Sequence, residues 1–355
     1  MSRALRLKSL KRGLHKKYKI PVLTLGFIFS VVIFFTILFI PSGNLVNNSI
    51  KRTQDILSTN ELIISNLSKP ESDSIKILFV GDIMLARSIG QSIKYGNDPF
   101  VNVKNKFKDY DIVVGNLETT IANLNTGYSA SKGYNFKAPI ESAKNLADSG
   151  IDIVSLANNH SMDYGEDALL ETIHLLNNNG VGSFGAGKTF TDAYKPFYVK
   201  YKNIKIAFIG LNNIERWVTD INDYHGGSAY FDETLVRKSL KDAQDNSDLQ
   251  IVFPHWGEEY TTLVNADQKK WARFFIDNGA DLVVGSHPHV VQTYETYKDK
   301  FIYYSLGNFV FDGMKGIYLA DKGSMLEVNI VNKEIAGHKE YFVELGWNGF
   351  PRLSN

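Results

Sequence analysis

Between residues 75 and 290 the chain repeats one pattern. A short run of apolar residues breaks off into a cluster of carboxylate, amide or imidazole groups. Ile75–Val80 runs into Gly-Asp at Asp82, and Asp111–Val114 into Gly-Asn-Leu-Glu at Glu118. Ile151–Leu156 ends at Asn158, Asn159 and His160, Gln250–Phe253 at His255, and Leu282–Val284 at His287 and His289. Apolar runs this short, bounded by turn-forming residues, read as buried strands. Segments with helical spacing lie between them: Glu141–Ser149, Glu166–Asn178, Thr234–Gln244 and Asp267–Asn278. Gly150 and Gly180 stand just past the ends of the first two, where a helix most easily stops. Strands alternating with helices predict an α/β fold with helices covering the sheet faces. Further strands are expected at Lys205–Gly210, Phe301–Tyr304 and Ser324–Val331, with residues 211–235 irregular and the last stretch β-rich.

In such sheets, ligands collect at the carboxyl ends of the strands. Pro288 cannot donate to a sheet, so the last of the five runs must stop there, leaving two imidazoles on an ordered turn. Carboxylate, amide and imidazole together suit Zn, Mn or Fe better than a soft metal. The absence of cysteine excludes thiolate sites and disulfides. Each cluster alone reads more readily as a turn, a cap or a satisfied histidine than as a ligand, but four of the eight histidines fall in these turns. His15, His174, His225 and His338 read as structural or solvent-exposed, with His225, in the irregular stretch, the first candidate for an exception.

The N-terminus has a different character. Residues 1–19 carry eight basic residues and no acid. Ile20–Ile40 is 21 residues without a charge, long enough as a helix to span a hydrocarbon core of about 30 Å. It is too long for a cleaved signal peptide, and no small-residue cleavage site follows. The basic tail predicts a cytoplasmic N-terminus and an extracellular remainder, that is, a single-pass signal anchor in the cell membrane. Residues 41–74 read as a polar stalk, with a short helix near Asn60–Leu67, and 75–355 as the compact domain. Setting the tail aside leaves 31 basic and 38 acidic residues. An acidic body argues against nucleic-acid binding, and a basic tail beside a membrane span contacts anionic lipid.

The stretches GDIMLAR (81–87), GNLETTI (115–121), LANNHSMDYG (156–165), PHWGEEY (254–260), GADLVVGSHPHVVQ (279–292) and YYSLGNFVFD (303–312), in this order, resemble the CapA (PgsA-type) capsule-biosynthesis family. That family is similar in fold to the calcineurin-like metallophosphoesterases. The resemblance covers about residues 75–330. It implies a four-layer sandwich of two mixed β-sheets flanked by helices, and a role in making or exporting poly-γ-glutamate capsule. The implied partners are membrane-bound synthase or export subunits and the anionic polymer itself.

The resemblance also implies roles for individual residues. Asp82 looks like the aspartate of an Asp-x-His motif whose histidine is replaced by Met84. Glu118 looks like a metal-bridging carboxylate, Asn159 like an amide ligand, and His255, His287 and His289 like the remaining ligands. With Met84 a poor ligand for a hard cation, one tightly held divalent ion, or a second held weakly, is expected. His160 looks like a catalytic acid, with Asp163 placed to orient it. Arg87 either grips an anionic substrate or makes a surface ion pair. Glu258 and Glu259 either flank the metal or are solvated, and Ser305–Asn308 either lines the site or forms a tight turn. Lys132, Lys137 and Lys188 are candidates for a polyanion-binding patch, with ordinary solvated lysines the plainer reading. Three functions fit: an accessory subunit of a capsule machine, a free-standing extracellular metal-dependent phosphoesterase, or a scaffold with a vestigial site.

Overall fold

The computed structural model describes residues 73–123, 130–215 and 226–354. The expected basic tail, the apolar segment Ile20–Ile40, nearly all of the stalk, and His225 lie outside the described residues. Among the described residues no helix is long and apolar enough to cross a membrane.

Two sheets dominate. In the first, of eight strands, Ser74–Ile83 is central. On one side it pairs in parallel with Ile112–Leu117, and Ile153–Ser155 and Gly182–Phe184 follow outward, also parallel. On the other side it runs antiparallel to Lys322–Val331, followed by Glu334–Leu345 and Pro351–Leu353. The second sheet has six strands, ordered Tyr294–Tyr297, Lys300–Tyr303, Leu282–Val284, Leu249–His255, Ile204–Asn212 and Phe197–Tyr201. Its four middle strands are parallel.

Side chains on a strand alternate between faces, and the first strand uses both. Ile75, Ile77 and Phe79 enter a core shared with Ile204, Ile206, Phe208, Ile251 and Phe253 of the second sheet. The Phe79 and Phe253 rings stack there with centroids 6.3 Å apart. Leu78 and Val80 face the other way, into a core with Ile89, Leu146 and Leu169 from the helices Arg87–Lys94, Glu141–Ser149 and Gly165–Asn178. On the outer face of the second sheet, Ile209, Val252 and Val283 meet Val236, Leu240 and Phe275 from the helices Glu233–Asn246 and Ala266–Asp277. The result is helix, sheet, sheet, helix, the four layers expected. Burying one such aromatic or aliphatic side chain contributes about 1.5–3 kcal/mol, so three cores of this size hold the layers in register.

Element boundaries shift where tertiary pairing extends a strand. The first strand continues to Ile83, so Asp82 lies within it rather than after it. The extension is gripped on both sides, by Asn116 of the neighbouring strand and by Asn308 of the short strand Asn308–Val310. Gly81 allows that grip: a Cβ there would fall 1.8 Å from the Gly307 carbonyl oxygen. The stretch expected to be irregular contributes a two-residue strand, Gly227–Ser228, paired with Ala186–Gly187.

Candidate metal centre

The five polar clusters converge. Asp82, Glu118 and Asn158–His160 come from the carboxyl ends of three parallel strands of the first sheet. His255, His287 and His289 come from the carboxyl ends of two parallel strands of the second. The site thus sits where the edges of the two sheets meet. All six expected metal ligands and His160 and Asp163 are buried, with Asp82, Glu118, Asp163 and His255 fully so.

Glu118 is at the centre. Neither of its carboxylate oxygens has a hydrogen-bond partner, although both are buried. His289 Nε2 and His160 Nε2 approach to 3.6 and 3.7 Å, beyond hydrogen-bond range. Ligand atoms of Glu118, His287 and His289 lie within 4.8 Å of one another, as do those of Asp82, Glu118 and His255. Glu118 belongs to both sets. Three further atoms crowd together: His255 Nε2 lies 2.9 Å from Asn159 Oδ1 and 3.1 Å from His287 Nδ1. Atoms that prefer to accept converge this way around a cation, so the donor set fits a divalent metal with mixed oxygen and nitrogen ligation.

The surroundings hold the ligands in place. His255 Nδ1 is 3.1 Å from Ser286 Oγ, which donates in turn to the Pro254 carbonyl. His255 Nδ1 also lies 3.2 Å from Asn116 Nδ2, while Nε2 faces Asn159 Oδ1 and His287 Nδ1. His289 Nδ1 lies 2.9 Å from Asn308 Oδ1 and 3.4 Å from Asp82 Oδ2. Asn116 Nδ2 donates to Asp82 Oδ1 at 2.8 Å, and Asn116 Oδ1 accepts from Asn158 Nδ2. Asn158 Oδ1 accepts from the His160 backbone N–H. His287 and His289 both have left-handed backbone, with φ of 95° and 58°. Such conformations cost about 1–3 kcal/mol each in a residue with a Cβ. Here Asp82 Oδ2 accepts the His287 N–H, and the Tyr260 N–H donates to the Pro288 carbonyl.

Electrostatics favour metal-ready ligands. Burial pushes His255 and His287 well below the ordinary imidazole range, and neighbouring imidazoles add to the effect. Both are neutral, the ligating form. Burial drives Glu118 well up, with Asp82 and Glu259 reinforcing and His289 opposing. Burial alone would lower His289, but the Glu118 and Asp82 carboxylates outweigh it and raise it to about 9. A buried carboxylate without hydrogen-bond partners fits a site built to hold a cation.

His160 and Asp163 form the expected pair, with Nδ1 2.8 Å from Asp163 Oδ2. The Phe136 ring stacks on the imidazole at 4.2 Å. Arg87 is ion-paired with Asp312 and donates to its carbonyl oxygen at 2.8 Å. The ion pair does not take Arg87 away from the site, because its guanidinium lies over Phe136 and Phe311. Those rings flank His160 and His289, so Arg87 stands at the rim. Met84 joins the apolar core, its sulfur accepting from the Ala86 N–H. Glu258 and Glu259 are exposed, and Lys188 is too.

The expectation of a solvated lysine fails for Lys132. Its side chain is only 4% exposed and reaches Asp163 at 2.8 Å, Glu215 at 3.2 Å and the Asn159 carbonyl at 2.6 Å. Glu215 also accepts from Asn159 Nδ2 at 3.4 Å. Asn116, Ser286, Lys132 and Glu215 were not legible as site residues. Asn116 follows the expected strand inside the GNLE motif, where Glu118 is the more obvious ligand, and Lys132, expected at most in a polyanion-binding patch, lies in a Ser-Lys-Gly stretch typical of surface loops.

A profile described as "Bacterial capsule synthesis protein PGA_cap" matches residues 76–313, a span that holds every site residue named above. The capsule biosynthesis protein CapA of Bacillus anthracis is 33% identical over 250 residues, 68% of this chain and 61% of that protein. The PGA biosynthesis protein CapA of Bacillus subtilis is 33% identical over 243 residues, 68% of this chain and 64% of that protein. The chain therefore spans less than two thirds of the length of these relatives. The crystal structure of a hypothetical protein from Thermus thermophilus overlays with a TM-score of 0.51 at 16% identity, covering 76% of this chain and 99% of that one. That last likeness is one of fold.

Proposed function

Because the chain belongs to the bacterial capsule synthesis family PGA_cap, we propose that it is a membrane-anchored, extracellular accessory protein of poly-γ-glutamate capsule synthesis or export, carrying a divalent metal site that acts on an anionic substrate. The observation that carries the site reading is Glu118, buried and unpartnered amid Asp82 and three histidines. The anchor rests on Ile20–Ile40 and the basic tail before it. A tether keeps the domain beside membrane-bound synthase or export subunits, which are its proposed partners together with the polymer. Deleting Ile20–Ile40 is expected to move the protein from the membrane to the soluble fraction, read by fractionation and immunoblotting.

Asp82, Glu118, Asn159, His255, His287 and His289 would hold one or two Mn, Zn or Fe ions. A bound ion would supply Lewis acidity toward an anionic oxygen of the substrate. The chain's own groups do the rest. Asp163 accepts the His160 Nδ1–H, which leaves Nε2 pointing toward Glu118. Burial lowers His160, so Nε2 is a lone pair at neutral pH. Nε2 takes up a proton from solvent when an anionic substrate docks beside it, and gives it to the leaving-group oxygen as the bond to that oxygen breaks and water adds in its place, returning a proton to solvent. Phe136 fixes the plane of the ring, and Phe311 and Tyr260 wall the site beside His289. Arg87 meets an arriving anion at the rim.

The test is elemental analysis of the full chain, with hydrolysis assays on a generic phosphodiester and on polyglutamate. Near-stoichiometric metal is expected in the native protein and less than about a tenth of it in the His287→Ala, His289→Ala variant. Turnover of either substrate, absent from the variant, names the reaction. No metal after repletion with Mn, Zn and Fe would leave a capsule scaffold without chemistry.

A further inference from the structure

Beside the metal centre lies a second feature, an open cleft of about 340 Å³. One wall is a stripe of the helix Arg87–Lys94, formed by Arg87, Gly90, Gln91 and Lys94. These positions share a helix face, and seven residues put the two cations about 10 Å apart along the axis. The facing wall carries Lys137 and Asn123. Three cations line the cleft against one acid, Glu141, in a chain whose body is otherwise acidic. Among the described residues no carboxylate pairs with the exposed Lys94 or the half-buried Lys137, while the half-buried Lys104, Lys106 and Lys315 each have one. The Lys137 ammonium rests on the Tyr164 ring, 4.6 Å from its centroid. Arg87 belongs both to this cleft and, through Phe136 and Phe311, to the wall of the metal centre.

We propose that this cleft is a binding subsite for a linear polycarboxylate, holding the part of the chain that runs away from the metal centre past Arg87. It rests on the reading above that the substrate is an anionic polymer, and it adds where that polymer lies. The layout favours a linear polyanion over a single phosphate, and the polycarboxylate follows from the reading above. A single phosphate is held by several donors converging on one point, typically backbone N–H groups or a bidentate guanidinium. Here the positive groups are spread over two helical turns, and one Arg87 nitrogen already serves the Asp312 carbonyl. Single charges spaced along a groove match single charges spaced along a chain. The apolar floor is narrow: Gly90 lets the helix approach Pro139, whose Cδ a Cβ would meet at 3.0 Å.

The experiment is residue-resolved amine acetylation of the full chain, read by mass spectrometry with and without poly-L-glutamate. Resolving each lysine keeps binding by the basic tail from confusing the result. Lys94 and Lys137 are expected to react about tenfold more slowly with the polymer present, while Lys241, on the helix Glu233–Asn246 that covers the second sheet, is unchanged. Inorganic polyphosphate at equal charge concentration should protect them markedly less, and orthophosphate not at all. Equal protection by polyphosphate would overturn the polycarboxylate assignment, and no protection of either lysine would overturn the subsite. The Lys94→Glu, Lys137→Glu variant should keep its metal and lose polyglutamate affinity by about tenfold at low salt. Metal retained without any protection sinks the cleft alone. Metal absent from both proteins sinks the metal-site reading instead.

Discussion

Glu118→Gln is expected to lose the metal and, at the same time, to make the metal-free protein more stable than the native one. The carboxylate is buried with both oxygens unpartnered, and an unsatisfied buried polar group costs about 1–3 kcal/mol, more when charged. Glutamine keeps the shape and removes the charge. The sign with pH follows from the direction of the shift, since burial raises Glu118 above its ordinary value of 4.5. The folded protein holds that proton more tightly than the unfolded chain. The stabilisation from the protonated carboxyl is therefore complete below about 4.5 and is lost as pH rises through the higher folded value. The glutamine variant has no such loss, so in chelator at neutral pH its melting point should exceed that of the native protein. Adding the metal reverses the order, because only the native site gains binding free energy. Affinity should fall by about 100-fold or more when the central ligand is neutralised. Melting curves with chelator and with saturating Mn or Zn measure both arms. A variant less stable in chelator would mean that Glu118 is already satisfied and that the site does not call for a cation.

The second large effect is at Lys132. Its ammonium is nearly fully buried against the fully buried Asp163. Removing one member of such a pair leaves an uncompensated charge and costs about 3–5 kcal/mol. Lys132→Met should lower the melting point by about 10 °C. The double variant Lys132→Met, Asp163→Asn should recover most of that loss. The cycle separates the pair from the rest of the network, because Lys132 also holds the Asn159 carbonyl and Glu215. Single and double variants of equal stability would reduce the pair to an ordinary surface contact.

The parallel strands at the centre of the two sheets were legible because they are buried on both faces, so each reads as an apolar run. The ligands were legible because a parallel strand delivers its last residues to one edge, where polar groups have little other reason to cluster. The exact ends were not. Asp82 is a strand residue because Asn116 pairs with it on one side and Asn308, more than 200 positions away, on the other, and no local signal announces such partners. Lys132 was hidden for a related reason. A lysine in a polar loop is normally solvated, and only the fold brings Asp163 and Glu215 to it. Asn116 was masked by the motif it belongs to, where Glu118 drew the attention. Of the two roles open to Arg87 in the sequence, the ion pair is present, made with Asp312 at the rim of the site, and the grip on an anion belongs to the proposed function.

The pairing of Ser74–Ile83 has a consequence for how the molecule comes into being. This strand is the middle of its sheet, yet one of its two long neighbours, Lys322–Val331, is made among the last strands of the domain. A chain synthesised from its N-terminus, or threaded through a membrane in that order, presents the central strand long before its partner exists. Contacts this distant in sequence also make for slow folding. Until Lys322–Val331 arrives, one side of the central strand is an open edge, ready to pair with a stranger. The ligands span Asp82 to His289, so the ion can be captured only when assembly is nearly complete. Loading of metal would then report that the domain has finished folding.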